Sequence, residues 1–178
     1  TWQKDKKKIY LSFDGVDDYA IVSHSDLLNL YPDNKITIAF WLCPVGFQGS
    51  YTIALVLDKR TERQANYDIY YTETTMNIRI HAQDAIKGIG FSHEMQKWNF
   101  YAFTLNGNIL RGYLNGEFKA QRTDILTSDY NTVDLRIAVS VYGAYRMKAN
   151  LAMLLIAKRV YTDEEIAKIY ETTRKYFE

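Results

Sequence analysis

Three aspartates near the start of the chain could hold a metal ion. Asp14, Asp17 and Asp18 fall within five residues and enclose Gly15, a residue type typical of tight turns. Calcium takes about six to eight oxygen ligands, which clustered carboxylates can supply. The same side chains could instead bond to their own backbone and fix the turn. The sequence leaves both interpretations open, and calcium is the only cofactor that it suggests.

The spacing of the titratable residues does not match a catalytic site. A retaining glycosidase needs two carboxylates about 5 to 5.5 Å apart. The acidic cluster at 163–165 lies where a helix is predicted to start, and there it favours the helix dipole. His24, His81 and His93 show no metal-ligand spacing, and the sequence has no serine or cysteine nucleophile motif. The single cysteine, Cys43, lies in an apolar, strand-like run. We therefore predict that the chain is not an enzyme.

A second set of residues could bind a ligand without reacting with it. Aromatic faces pack on the C–H groups of sugar rings, and planar polar groups bind sugar hydroxyls. Alternation along the predicted strands places aromatic, arginine and histidine side chains on the face opposite the predicted core, with the loop at 142–146 as a rim. The candidate ligand-binding residues are Trp41, Arg79, His81, Arg111, Tyr113, Tyr142, Tyr145 and Arg146. The alternative is that the protein's own loops or its N-terminal hairpin cover this face and make it a second core.

The stretch at 98–121 is predicted to form three strands joined by two tight turns. Asn106-Gly107 and Asn115-Gly116 are strong hairpin signals, because Asn and Gly tolerate the positive φ angles that such turns need. On the middle strand, Leu110 and Leu114 point one way and the candidate binding residues point the other.

Other strands are predicted at 36–43, 67–71 and 76–81, and the charged segment at 58–66 is predicted to be a loop. The side chains predicted to fill the interior are Ile38, Phe40, Ile78, Ile80, Tyr101, Phe103, Leu110 and Leu114. Helical periodicity occurs only near the end of the sequence. There, Thr162 and Glu165 form a capping box, and Ile166, Ile169 and Tyr170 recur at helical spacing. The pattern predicts a β-sandwich of ten or more strands with one C-terminal helix.

Four segments carry a resemblance to a known family. The segment at 11–19 (LSFDGVDDY) resembles the opening motif of laminin-G-like jelly-roll domains, and 38–42 (IAFWL) resembles their tryptophan strand. The paired hairpins at 98–117 and the closing segment at 156–166 (IAKRVYTDEEI) are similar to later landmarks of the same domains. The chain is thus identified as a member of the concanavalin A-like lectin/glucanase superfamily.

The resemblance implies a fold more than a function. It implies an all-β, concanavalin A-like jelly-roll β-sandwich of two antiparallel sheets with a short C-terminal helix. The superfamily includes lectins, hydrolases, adhesion modules and structural domains. Its laminarinase-type enzymes use a Glu-x-Asp-x-x-Glu strand that this sequence lacks. Its members often carry acidic residues before the last strand, where this chain reads Asn150-Leu151-Ala152-Met153, which weakens the case for calcium from that side.

Composition limits the classes of partner. The chain has 178 residues, 47% of them hydrophobic and 24% charged, which predicts a folded domain at 9–178. The basic segment at 1–8 is predicted to be a linker or a domain edge. A formal net charge of +1 gives no reason to expect nucleic acid as a partner. No apolar run is long enough to insert into a membrane, and the sequence shows no signal peptide.

These observations lead to one expected function and two alternatives. We expect a non-catalytic carbohydrate-binding module that contacts a glycan or a surface glycoprotein. We expect it to act outside the cell, on a cell surface or on a virion surface, together with further domains of a larger chain. A structural or adhesion module that binds protein is the first alternative, and a glycoside hydrolase is the second.

Overall fold

The computed structural model describes residues 2–5, 8–61, 65–82 and 85–177. Within these ranges the chain forms thirteen strands, one α-helix and two short 3₁₀ turns, Asp26–Leu28 and Arg174–Tyr176. The strands are β1 (Trp2–Asp5), β2 (Lys8–Asp14), β3 (Ala20–Val22), β4 (Lys35–Phe47), β5 (Ala54–Arg60), β6 (Ala65–Tyr71), β7 (Thr75–Ala82), β8 (Ala85–Ser92), β9 (Asn99–Asn106), β10 (Ile109–Leu114), β11 (Glu117–Arg122), β12 (Leu135–Ile137) and β13 (Met147–Ala157). Helix α1 spans Asp163–Thr173.

The strands form two antiparallel sheets that pack face to face. The seven-stranded sheet has the order β1-β2-β13-β4-β9-β10-β11, and the six-stranded sheet has the order β3-β12-β5-β6-β7-β8. This arrangement, with one helix near the end of the chain, confirms the predicted sandwich.

Strand alternation correctly predicted which side chains fill the space between the sheets. Seven of the eight predicted interior side chains are almost completely buried in one apolar cluster, and Leu114 packs against its edge. Both sheets contribute to this cluster, because every second residue of β4, β7, β9 and β10 points inward.

The central hairpins form as predicted, with one shift in position. Asn115 and Gly116 take positive φ angles of 51° and 79° in the turn between β10 and β11. In the other hairpin, Asn106 pairs with Ile109, so the turn consists of Gly107 and Asn108. Gly107 has φ 60°, which suits a turn whose first central residue is glycine.

The predicted loop at 58–66 is wrong over its first residues. Strand β5 continues to Arg60, and both Asp58 and Lys59 are fully buried. Lys59 donates to the side chain of Asn131 and to the backbone oxygen of Val133. Charge alone suggested a solvated loop, but these polar partners allow the strand to bury its charged residues.

At the start of the chain, Trp2–Asp5 pairs with β2 as an edge strand of the seven-stranded sheet. This places part of the segment at 1–8 within the sheet. The division of the chain into a domain and a linker stays a prediction.

The outer face of the seven-stranded sheet is covered, which corrects the prediction that it is an exposed binding surface. Trp41 is 0% exposed, stacks on Phe177 with ring centroids 4.6 Å apart, and donates its indole N–H to Thr173 Oγ1 at 2.9 Å. Tyr113 and Ile166 are buried in the same cluster. We call this cluster the second core. It forms because an amphipathic helix and the residues after it dock on the aromatic face of the sheet.

The start of α1 is fixed by the capping box that the sequence predicted. Thr162 Oγ1 accepts a hydrogen bond from the Glu165 backbone N–H at 3.2 Å, and Glu165 Oε2 accepts one from the Thr162 backbone N–H at 2.9 Å. The cap sets where the helix begins, and so which of its residues face the second core.

Replacing Ile166 by alanine tests the second core. Ile166 is fully buried, so Ile166→Ala should lower the free energy of unfolding by about 2 to 5 kcal/mol in urea denaturation. The control is Ile86→Ala on β8, where the side chain is largely exposed and the expected loss is at most about 1 kcal/mol. Equal losses in the two variants would contradict the docking of α1 on the sheet.

Candidate functional site

The eight candidate binding residues occupy three places, so the predicted single face is wrong. Trp41, Arg111 and Tyr113 lie on the outer side of the seven-stranded sheet. Arg79 lies on the six-stranded sheet with three further candidates near it, His81, Tyr142 and Tyr145. Arg146 lies apart from both groups. Alternation separates inward from outward residues, but it does not tell which of the two sheets a strand joins.

Arg111 and Tyr113 contact the protein's own helix. The Tyr113 hydroxyl donates to Asp163 Oδ1 at 2.8 Å, and Arg111 Nη1 donates to the same oxygen at 2.9 Å. A cavity of about 380 Å³, here called the Arg111 cleft, lies between this part of β10 and the start of α1. The polar groups of these three side chains bind one another, which ties the helix to the sheet.

Arg146 contacts the N-terminal loop. Its Nη1 donates to the backbone oxygen of Asp17 at 3.1 Å, and its guanidinium lies 5.6 Å from the centre of the Tyr19 ring. Arg146 therefore joins the loop after the aspartate turn to the loop at 142–146.

A buried carboxylate organises the outer side of the six-stranded sheet. Asp68 on β6 is cross-strand partner to Asp58 on β5 and to Arg79 on β7. Its two oxygens accept from Arg79 Nε at 2.8 Å and Nη2 at 3.0 Å, and from His81 Nε2 at 2.8 Å. Arg60 Nη1 lies 3.0 Å from Asp68 Oδ2. One fully buried carboxylate therefore orients two guanidinium groups and an imidazole.

A second buried carboxylate connects this network to the loop at 142–146. Asp58 accepts from Arg60 Nε at 2.7 Å and Nη2 at 2.9 Å. Asp58 Oδ2 also accepts from the backbone N–H of Val141 at 2.9 Å. Because Val141 directly precedes Tyr142, Asp58 fixes the backbone next to that tyrosine.

The network favours the charged forms of Asp68 and Arg60. Burial alone would raise the pKa of Asp68, but hydrogen bonds from His81 and Arg79 and the charges of Arg60 and Arg79 outweigh it, so the pKa lies below its ordinary value. Burial likewise opposes the charge of Arg60, yet the bond to Asp58 and the nearby carboxylates raise its pKa. The two arginines thus act as fixed, permanently charged donors.

Two cavities meet at Arg79 on this outer side. One, of about 240 Å³, is lined by Ile53, Leu55, Arg60, Arg79, Tyr142 and Tyr145. The other, of about 260 Å³, is lined by Tyr70, Asn77, Ile78, Arg79, Gly88, Ile89 and Gly90. We call the two together the Arg79 groove. The Arg79 side chain is 31% exposed, and its guanidinium stacks over the Tyr70 ring at 4.4 Å, while Tyr142 is 61% exposed.

Two glycines on β8 line the groove, and because they have no side chains they leave its space open. Gly88 is cross-strand partner to Arg79, and Gly90 is partner to Asn77. A Cβ atom at Gly88 would lie 2.2 Å from the Ile78 backbone oxygen, and one at Gly90 would lie 2.2 Å from Asn77 Oδ1. A side chain at Gly88 would therefore collide with the backbone of β7, and one at Gly90 would displace the Asn77 side chain.

Sequence reasoning missed the anchors of this groove, Asp58, Arg60, Asp68 and Tyr70. A signal was present on β6, where Asp68 and Tyr70 alternate with the apolar side chains of the strand. Alternation could have placed these two residues on the same outer side as Arg79. The charged residues of β5 carried no such signal, because they continue an apolar run without alternation.

Comparison with known proteins places the fold in a family. A laminin G family profile, described as the concanavalin A-like lectin/glucanases superfamily, matches residues 14–167. The chain belongs to this superfamily. No curated protein sequence matches it. Within the described residues, no helix has the length and apolar character needed to span a bilayer.

Several solved structures with a similar fold are binding domains of larger proteins. Three of them are the binding domain of Paraclostridial Mosquitocidal Protein 1 (TM-score 0.78, 14% identity), the binding domain of botulinum neurotoxin serotype D (0.75, 16%) and the binding domain of botulinum neurotoxin DC (0.73, 14%). Each covers 97% of this chain, whereas this chain covers 45%, 45% and 44% of theirs. The likeness shows a shared fold over less than half of each of these structures.

The buried carboxylates of this superfamily member do not have the environment of a glycosidase pair. Asp58 and Asp68 are adjacent across β5 and β6, but both are fully buried and bonded to guanidinium groups. A general acid needs a raised pKa to carry a proton at neutral pH, whereas the pKa of Asp68 is lowered. The two carboxylates therefore act as anchors for Arg60 and Arg79.

Two carboxylates of the aspartate turn bond to the turn's own backbone. Asp14 Oδ1 accepts from the backbone N–H of Val16 at 2.7 Å and of Asp17 at 3.4 Å, and the bond from Val16 holds the pKa of Asp14 below its ordinary value. Asp18 Oδ2 accepts from the Asp14 backbone N–H at 3.2 Å. Among the described residues, no three His, Cys, Asp or Glu side chains are grouped so that they could hold a metal ion. Calcium binding by Asp14, Asp17 and Asp18 stays a prediction.

The ionisation of Asp68 can be measured directly. Its carboxyl group should titrate below about 3.9, the ordinary value for aspartate. Because the folded-state pKa is the lower one, the pairing stabilises the folded protein above about pH 4, and this contribution is lost as the pH falls through the folded-state pKa. Carboxyl-carbon NMR shifts during an acid titration would report the value. A pKa above the ordinary value would contradict the pairing and make Asp68 a candidate general acid.

Two variants of Asp14 separate the turn role from calcium binding. Asp14→Asn keeps a side-chain oxygen for the bonds from Val16 and Asp17, so it should retain the melting temperature, whereas Asp14→Ala should lower it. Melting curves are to be recorded after treatment with a chelator. If added calcium then raises the melting temperature of the unaltered protein but not that of Asp14→Asn, the aspartates bind calcium after all.

Proposed function

We propose that this domain is a non-catalytic carbohydrate-binding module that holds its ligand in the Arg79 groove. The observation that carries the proposal is a partly exposed arginine, fixed by a buried carboxylate, between two cavities with tyrosines at their edges. The proposal moves the binding site away from Trp41 and Tyr113, which the second core buries.

The groove has the chemistry that sugars require. Tyr142, Tyr145 and Tyr70 offer aromatic surface that can pack on the C–H groups of a sugar ring. Arg79 and Asn77 offer planar polar groups for ring hydroxyls. Two adjoining cavities suit an extended ligand of two or more sugar units.

The network under the groove reduces the entropic cost of binding. Arg79 is already held by two bonds to Asp68 and by the ring of Tyr70, so little side-chain freedom remains to be lost. Asp58 likewise holds the residue that precedes Tyr142. A preorganised site partly offsets the desolvation cost that makes glycan binding weak.

The structural neighbours support the proposal without establishing it. The three toxin-related structures are binding domains, and that of botulinum neurotoxin DC is in complex with SialylT. These properties are those of the neighbours, whose identity to this chain is 16% or less. By analogy we propose that the partner is a glycan or a glycoprotein on a cell surface, outside the cell, and that further domains accompany this one.

A protein-binding adhesion module is the second candidate. It is favoured by exposed apolar side chains on the loops, including Val16, Tyr19 and Tyr142. Such side chains are common in protein interfaces, where tyrosine in particular is enriched.

Glycan-array binding of the isolated domain tests the proposed function. Binding should be detected, and Tyr142→Ala should weaken it by roughly 1 kcal/mol, since the variant removes aromatic contact area but none of the hydrogen bonds between Asp58, Asp68 and their arginines. The control is Tyr176→Ala, an exposed tyrosine beyond α1, which should bind like the unaltered protein. Loss of binding in Arg111→Gln instead would move the site to the Arg111 cleft. Absence of binding to every glycan would favour the adhesion module.

A further inference from the structure

We infer that the glycan recognised by the Arg79 groove carries an acidic group, a carboxylate or a sulfate ester, and that this group binds at Arg79. The inference rests on the proposed function and adds the chemical class of the ligand. It follows from which polar atoms of the groove have no hydrogen-bond partner among the described residues and so can bind a ligand.

The carboxylates under the groove have no oxygen left for a ligand. Both oxygens of Asp68 are used, one by Arg79 and the other by Arg79, His81 and Arg60. Both oxygens of Asp58 are used by Arg60, and one also accepts from Val141. Both side chains are fully buried. Charged acceptors, which could bind the hydroxyls of a neutral sugar, are therefore withheld from the ligand.

The donors of Arg79, in contrast, are only partly used. Nε and Nη2 donate to Asp68, which occupies one edge of the guanidinium. Within the described part of the chain, Nη1 makes no hydrogen bond, and the side chain is partly exposed in the groove. The free edge formed by Nη1 and the second N–H of Nη2 has the geometry that binds a carboxylate or a sulfate through two bonds.

A third arginine lies on the strand next to β5. Arg136 on β12 is cross-strand partner to Asp58, and among the described residues its buried Nη1 has no hydrogen-bond partner. The two carboxylates are instead paired with Arg60 and Arg79. Because the side chain of Arg79 is partly exposed, its free edge is the positive group that a negatively charged ligand can reach.

Matched glycan pairs test this assignment. In each pair one glycan carries a carboxylate or a sulfate ester, and the other is the same glycan without it, as in sialyllactose or sulfated lactose against lactose. The acidic member should bind roughly ten- to a hundredfold more tightly, which is the effect of a hydrogen bond to a charged group. Separate carboxylate and sulfate pairs distinguish the two sources of charge. Added salt should weaken binding of the acidic member more than binding of the neutral one.

Variants of Arg79 connect the preference to the groove. Arg79→Gln should abolish the preference for the acidic member, and Arg79→Lys, which keeps the charge and a donor to Asp68, should weaken it at least several-fold. Melting curves show which variants fold. If Arg79→Gln does not fold, the binding test is made with Arg79→Lys. The matched control is Arg159→Gln, because Arg159 also pairs with a carboxylate and stacks on a tyrosine, but beside α1.

The outcomes separate the inference from the proposed function. Equal binding to both members of each pair would overturn the acidic ligand while leaving a carbohydrate-binding module in place. A preference for acidic glycans that survives in folded Arg79 variants would overturn the assignment to Arg79. Absence of binding to any glycan would overturn the inference and the proposed function together.

Discussion

The pairing of Asp68 with Arg79, Arg60 and His81 is the interaction on which the candidate site depends. A carboxylate without access to water is tolerated only when other groups compensate its charge, so the strands that carry its partners must lie side by side in one register. A slip of one residue between β6 and β7 would turn Asp68 into the apolar interior. The same pairing that keeps the register also fixes the direction of Arg79, so the fold and the groove share one constraint.

Within the described residues, the outer face of the seven-stranded sheet is covered and that of the six-stranded sheet is not, because the two faces carry different side chains. The seven-stranded sheet presents Trp41 and Phe100, which would be costly to leave in water, and α1 with the residues after it covers them. The six-stranded sheet presents an ion-paired network over a floor of glycines, which can face water without such a cover. The face that we propose for binding is therefore the one that the protein does not need to cover with a helix.

Much of the fold follows from local rules that the sequence displays directly. The alternation of Ile38 and Phe40 with Trp41 identifies the inner side of β4, and Thr162 with Glu165 identifies the start of α1. The site depends on non-local pairing, which local rules do not contain. Arg79 and Arg111 have equivalent positions in their own strands, and only the sheet that each strand joins separates a groove from a helix contact. Trp41 was expected to contact a ligand because an aromatic surface for sugar and an aromatic surface for a helix have the same composition.

The arrangement of Asp58 and Asp68 differs from that of a catalytic carboxylate pair. A glycosidase site also contains two neighbouring carboxyl groups, but there one must hold a proton while the other stays ionised. Here Arg60 bridges the pair, and Arg79 and His81 add further bonds to Asp68, so that its ionised form is favoured. Carboxylates held in this way provide neither a general acid nor a free acceptor for the ligand. What they provide is the fixed orientation of two arginines, and the chemistry offered to a ligand is therefore that of the guanidinium groups.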